Sequence, residues 1–158
     1  MKKIALCGNG CCGKDTVAKI IADEDPSFRL GKTTSMVLAD YVAEVLREPV
    51  HEVFFDRRKN RKLWKDIGDS VREKFGHDIF IREAMKTSDI IIGIRTKSEL
   101  LVLKQLGILT MWVERQDCSN DKTIEFCKHD CDIILENNSS QAELVRRIMA
   151  LLTITKQN

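Results

Sequence analysis

Apolar and polar positions change rhythm several times along the chain. Lys3 to Cys7 is a short apolar run stopped by glycine, and TVAKIIADE, beyond a glycine-rich loop, puts Val17, Ile20 and Ile21 on one helical face. Ser27 to Leu30 reads as a second short strand. Thr33 to Arg47 reads as a helix with Met36, Val37, Tyr41, Val45 and Leu46 in its apolar pattern, and Pro49 helps to end it. From Arg57 to Lys86 the chain is polar and helical in rhythm, carrying Leu63, Trp64, Ile67, Val71, Phe75, Ile79, Ile81 and Met85, with a break at Gly76-His77. Regular alternation follows: DIIIGI as a buried strand, SELLVLKQLG as a helix ending at Gly107, ILTMWVE as a strand, DKTIEFCKH as a helix, CDIIL as a strand and SQAELVRRIMALL as a closing amphipathic helix. The polar tail from Thr155 to Asn158 is expected to fray.

Strands alternating with helices predict a parallel sheet covered on both faces, hence a three-layer α/β fold with five parallel strands. At 158 residues the chain is expected to form one domain, 1–158, in which residues 31–88 make a mostly helical region.

Composition narrows the partners. Charged residues are 32% of the chain but the net charge is only +2, so no global field argues for nucleic acid or a membrane surface. No stretch approaches the roughly 20 apolar residues of a membrane span, and MKKIALCGNG is unlike a secretory signal, so a cytoplasmic location is expected. The six cysteines then read as buried thiols rather than a disulfide framework. Cys118, Cys127, His129 and Cys131 are conceivable zinc ligands, although their spacing lacks two C-x-x-C knuckles and Cys131 begins a predicted strand.

CGNGCCGKDT, residues 7–16, carries two motifs at once. Gly8, Gly10 and Gly13 spell the dinucleotide fingerprint G-x-G-x-x-G, whereas Gly8, Gly13 and Lys14 spell G-x-x-x-x-G-K, the start of a phosphate-binding P-loop. The dinucleotide reading needs an acid at the end of the second strand, where this chain has Arg29-Leu30-Gly31-Lys32; Asp23, Glu24 and Asp25 come before that strand. The P-loop reading puts Lys14 where it reaches the outer phosphates, between a first strand and a helix. The backbone N–H groups of Gly8, Asn9, Gly10, Cys11, Cys12, Gly13, Lys14, Asp15 and Thr16 would then line a nest at a helix N-terminus, which already carries about half a positive charge.

Asp15 stands where a P-loop has Ser or Thr, and Thr16 comes one place late. Two accounts compete. Asp15 joins Mg²⁺ directly or through water, or it turns away to hold a basic side chain while Thr16 contacts phosphate; the second is slightly favoured.

The sequence G-x-x-x-x-G-K-D-T resembles the loop of phage-type deoxynucleoside monophosphate kinases, within the P-loop nucleoside monophosphate kinases, whose related G-K-G-T also places the hydroxyl one residue late. RKLWKDIGDSVRE, residues 61–73, is similar to a family segment with Arg61, Gly68 and Arg72 at matching places. IIIGIRTKSELLVLKQLGILTMWVER is similar to the family's strand followed by D-V-R-x-x-x-E, a helix, a glycine, a strand and an arginine, matched by Arg95, Glu99, Gly107 and Arg115. CDIILENNSSQAEL resembles the last strand, an asparagine and the closing helix, so the resemblance runs from Ile4 to about Leu152. Gly93 departs from it by replacing the acid expected before Arg95, a natural partner of Mg²⁺, and Trp64 and Lys65 replace Leu and Gln.

The resemblance implies a P-loop kinase fold, with 31–88 as a helical acceptor-binding insertion, ATP and Mg²⁺ as cofactors, and a small-molecule nucleotide as the acceptor. A homodimer is compatible with it, since oligomeric state is not legible in these residues. It also implies transfer of the γ-phosphate of ATP to a (deoxy)nucleoside monophosphate, giving the diphosphate. Lys14 would bridge the β- and γ-phosphates, with Arg115 on the ATP side and Asp15 and Thr16 nearest the metal. Arg72 and Arg95 would grip the acceptor phosphate, for which guanidinium is suited by bidentate geometry, and Arg95 follows the end of a strand, where open α/β sheets bind ligands.

Each of the weaker candidates has a plainer alternative. Arg61 is an acceptor ligand and Arg115 an ATP ligand, or either is a surface ion-pair residue; Arg57, Arg58 or Arg61 could also belong to a mobile cover, because QDCSNDKTIEF, where a lid would lie, offers only Lys122. Trp64 stacks on the acceptor base or belongs to the core. Lys32, Thr33, Thr34 and Ser35 bind the acceptor or cap a helix, and Asp66 and Asp69 read base or sugar or make salt bridges. The rival functions are a different small-molecule P-loop kinase and a degenerate nucleotide-binding regulator that has lost transfer.

Overall fold

The computed structural model describes residues 3–118 and 120–156. Its order is β1 (Ile4–Cys7), α1 (Lys14–Glu24), α2 (Thr34–Leu46), α3 (Val50–Asp56), α4 (Arg61–Phe75), α5 (Ile79–Thr87), β2 (Ile90–Ile92), α6 (Lys97–Gln105), β3 (Leu109–Glu114), a 3-10 turn at Lys128–Asp130, β4 (Ile133–Glu136) and α7 (Gln141–Lys156). The four strands form one parallel sheet in the order β2-β1-β3-β4.

Strand alternation sorts the core into two layers. Ile4, Leu6, Ile90, Ile92, Met111 and Val113 face α1 and α7, meeting Val17, Ile21, Leu144 and Ile148. Ala5, Cys7, Ile91 and Trp112 face the opposite way, against Val71, Phe80, Ala84, Leu100 and Leu103 of α4, α5 and α6. The near-continuous apolar runs seen in the sequence follow from a sheet covered on both faces. A third, smaller cluster of Ala39, Val42, Ala43, Val53 and Trp64 joins α2, α3 and α4 within the helical region.

Two predicted elements are absent from the described residues, and both were replaced by tertiary contacts. The sheet has four strands, not five, because Ser27 to Leu30 does not pair as a ladder. Arg29 does approach the chain before β2, and its carbonyl accepts the Asp89 N–H at 2.8 Å. Its own N–H, however, goes to the Asp89 carboxylate at 3.1 Å instead of a strand carbonyl. DKTIEFCKH is likewise not a helix; Ile124 and Phe126 both pack towards the core with a spacing of two, and the Glu125 N–H is taken by the Arg95 carbonyl at 2.8 Å.

Smaller differences lie at the edges of elements. The short helix α3 follows Pro49, where the sequence suggested only that α2 ends. The break at Gly76 is present, with φ +100 permitting the turn between α4 and α5. α7 continues through Thr155 and Lys156, which were expected to fray, while Gln157 and Asn158 lie outside the described residues. No helix among the described residues is long and apolar enough to cross a membrane.

Candidate functional site

β1 delivers the chain to the glycine loop at the C-terminal edge of the sheet, between β2 and β3. Gly8 is required there, since it has φ +131 and a Cβ would stand 2.4 Å from the Val113 carbonyl oxygen of β3. Gly13 ends the loop in a left-handed conformation and starts α1 with no side-chain cap. A Cβ on it would stand 2.4 Å from Nδ2 of Asn137, the side chain that supports the loop by donating to the Cys12 carbonyl at 3.0 Å.

The consequence is a run of unused donors. Among the described residues, the backbone N–H groups from Asn9 to Thr16 donate to no acceptor in the chain. Orphan donors at a helix start are the ingredients of an anion site. Lys14 folds over them, its Nζ donating to the carbonyls of Gly8 at 2.8 Å and Asn9 at 2.5 Å.

Asp15 corrects the favoured expectation. It is exposed and pairs with no basic side chain among the described residues, so it does not turn away to hold a base. It lies instead in the first turn of α1, where an acid complements the helix dipole.

Two cavities flank the loop. One, of about 320 Å³, is lined by Gly13, Thr16, Arg115, Asn137, Asn138 and Gln141, so that Arg115 and Thr16 border the same cavity. The other, of about 460 Å³, is bounded by Asn9, Cys12, Trp112, Arg115, Asp121 and Phe126. Both fall in the size range of small-molecule sites.

The two arginines chosen as phosphate ligands share one carboxylate. Glu99, 1% exposed, accepts from Arg72 Nη2 at 3.0 Å and from the Arg95 and Thr96 N–H groups at 2.9 and 3.1 Å, completing the capping box of α6. Arg72 lies inward over the Phe80 ring, at 4.8 Å, and its buried Nε has no hydrogen-bond partner among the described residues. Arg95 stays half-exposed; its Nη1 donates to Asp121 Oδ2 at 3.0 Å and to Thr123 Oγ1. Residues 120–126, in the place of a lid, are therefore a docked strap over the loop: Asp121 N–H donates to Asn9 Oδ1 at 3.2 Å, and Phe126 meets Trp112 edge-on at 6.1 Å. Burial pushes the Asp121 carboxyl up, but hydrogen bonds from Thr123 and the charge of Arg95 outweigh it and leave the group below its ordinary value.

The remaining candidates are more ordinary. Trp64 is 8% exposed and packs beside Phe54, so its ring serves the helical region's own core rather than a base. Lys32 pairs with Asp40, Asp66 with Lys62 and Asp69 with Lys65, all exposed pairs of small energetic weight. Arg61 is exposed at the start of α4 with no ion pair among the described residues. Ser35 does reach the edge of the site, its Oγ 3.6 Å from the position of a Cβ on Gly93.

The conceivable zinc ligands separate. Cys118 packs against the α1 and α7 core, while Cys131 packs on the other face of the sheet, beside Cys7. Hydrogen bonding to Cys131, together with burial, pushes the Cys7 thiol up. No three His, Cys, Asp or Glu side chains among the described residues are grouped to hold a metal. Mg²⁺ bound to a nucleotide asks for less, one or two carboxylates besides phosphate oxygens and water, and Asp15 and Thr16 at the loop fit that donor set.

Gly93 is fitted closely to its surroundings. It has φ +100, and a Cβ there would stand 2.3 Å from Thr34 Oγ1, a buried hydroxyl bonded to the carbonyls of Ile92 and Gly93. A side chain there would have to displace the Thr34 hydroxyl from these carbonyls and would strain the left-handed backbone. Gly93→Asp is expected to cost about 2–3 kcal/mol in denaturant unfolding; stability equal to the unsubstituted chain would mean that the end of β2 relaxes freely.

Asp121, Asn137 and the pivotal position of Glu99 were not singled out as site residues by the sequence. The asparagine after the last strand and the T-x-x-E of a capping box were the available signals; nothing local marked Asp121, whose place depends on the strap. No protein-family model matches the chain, and no curated protein matches it.

Proposed function

We propose that the protein is an ATP-dependent kinase that transfers the γ-phosphate to a (deoxy)nucleoside monophosphate. The observation that carries this reading is the run of backbone N–H donors from Asn9 to Thr16, without protein acceptors and covered by Lys14. The donor triphosphate lies in that nest, with its nucleoside in the polar cavity beside Arg115 and Asn137. The acceptor phosphate lies on the side of Arg95 and Arg72.

An oxygen of the acceptor phosphate attacks the γ-phosphorus, the bond from that phosphorus to the β-bridging oxygen breaks, and ADP leaves. The acceptor is already ionised at neutral pH, so no general base is required, and the protein's part is alignment and charge neutralisation. Lys14 crosses from its loop carbonyls to the transferred group. Asp15 and Thr16 would hold Mg²⁺ through oxygen or bound water, and the ion, when bound, would supply charge neutralisation on the nucleotide.

The absence of an acid at Gly93 favours a second reading, a nucleotide-binding regulator without transfer. ADP release from ATP and Mg²⁺ across ribo- and deoxynucleoside monophosphates separates the two. Acceptor-dependent ADP production supports the kinase and reveals its base preference. ATP-dependent thermal stabilisation with no turnover on any acceptor would replace it with the regulator.

A further inference from the structure

The end of β2 carries Gly93 and no carboxylate, yet one reaches the phosphate loop from the strap. Asp121 stands in the strap after β3, its N–H bonded to Asn9 Oδ1 at 3.2 Å and its Oδ2 3.8 Å from where a Cβ on Gly10 would be. Its two oxygens do different things. Oδ1 accepts the Thr123 N–H at 3.0 Å and the Thr123 hydroxyl at 2.6 Å, which is all that a local turn needs. Oδ2 faces the loop and meets Arg95 Nη1 at 3.0 Å.

A carboxylate beside a nest that collects phosphate is repulsive unless a cation intervenes. In the ligand-free chain that cation is Arg95, the residue read above as an acceptor-phosphate ligand. We propose that Asp121 is a second carboxylate, besides Asp15, that serves the nucleotide-bound divalent cation in this protein, in place of the acid missing at Gly93. The ion pair of the free protein is then exchanged on binding, Arg95 turning to the acceptor phosphate and Asp121 to the cation. This makes the strap a part of the donor site rather than a passive cover. It also explains why Asn9, at the tip of the loop, spends its side chain on the backbone of Asp121.

The inference rests on the kinase reading only through ATP and its metal, so its test measures binding and not turnover. Calorimetry gives ATP affinity in EDTA and in Mg²⁺, and electron paramagnetic resonance gives Mn²⁺ affinity of the ATP-bound protein. For Asp121→Asn, Mn²⁺ affinity should fall about tenfold or more and most of the Mg²⁺ enhancement of ATP binding should disappear, while ATP binding in EDTA holds or tightens. Arg95→Gln loses the same ion pair but keeps the carboxylate, and should keep the metal effect. Asp121→Glu retains the charge one methylene further out and should fall between the two; it also decides the matter if the asparagine variant does not melt cooperatively. Unchanged metal dependence in the Asp121 variants, or metal-independent ATP binding by the unsubstituted chain, overturns the proposal and leaves the kinase reading standing. Failure of the unsubstituted chain to bind ATP at all overturns both.

Discussion

Replacing Lys14 with alanine is expected to lower phosphoryl transfer by about 10²–10³-fold, the scale of losing one preorganised charge donor in a reaction that moves charge. The effect on the fold should be small. Nζ is held by two carbonyls of the same loop, and losing such bonds on a half-buried side chain costs about 1 kcal/mol, or roughly 2–4 °C in Tm for a chain of this size. Those carbonyls belong to the loop itself, so the lysine rests on the groups that, on the proposed reading, flank its phosphate target. Turnover and melting measured on one preparation discriminate the roles: a large fall in Tm makes Lys14 a structural clamp, and undiminished transfer removes it from the chemistry.

Asp89→Ala should cause the largest loss of stability, about 3 kcal/mol, or roughly 6–12 °C in Tm. The Asp89 side chain is wholly buried, and it accepts from Lys3 Nζ, Arg29 Nε and Nη2 and the Arg29 N–H. Lys3 and Arg29 are partly exposed and can rehydrate once released, which places the cost at the low end for a broken buried pair. The Arg29 guanidinium, above all, holds the carboxyl well below the usual range; burial opposes it, and Lys3 and the Arg29 N–H add to the lowering.

A depressed carboxyl contributes stability that is complete above its unfolded value, near pH 4, and is lost as pH falls through its folded value. Thermal melts of the unsubstituted chain and Asp89→Asn should therefore differ by a constant amount above about pH 5, with a gap that starts to narrow near pH 4 and closes only towards the much lower folded value. A gap that instead widens as the pH falls, or closes near neutrality, would assign the stabilisation to another group.

Particular elements show which parts of the chain could be read locally. The glycine loop between β1 and α1 was legible as a turn because its parts are adjacent: the end of an apolar strand, glycines that permit the turn and a helix start are all consecutive. The strand runs were equally legible, since a parallel sheet with helices on both faces needs apolar side chains in both directions, and Ile90 to Ile92 and Leu109 to Val113 provide them. The capping box from Thr96 to Glu99 is also local, and so is the turn at Gly76.

Asp89 shows the other side. It reads as the polar start of a strand, but its carboxylate took the N–H that Ser27 to Leu30 needed to become a strand, and so decided that the sheet has four members. The stretch from Asp121 to His129 had a plausible helical rhythm, yet Arg95 and Trp112, distant in sequence, captured its backbone and its phenylalanine. Trp64 was pulled into the α2, α3 and α4 cluster by the same kind of competition.

Wherever the donors, turns and apolar positions of an element lie within a few residues of one another, the amino-acid order alone specified it: the glycine loop, its lysine, the alternation of layers and the helix caps. The number of strands, the docking of the strap, the meeting of Arg72 and Arg95 at Glu99 and the approach of Asp121 to the loop were decided by the assembled fold. In each of those cases a polar group or an aromatic ring had several partners available locally, and only tertiary packing determined which one could reach it with burial and geometry intact.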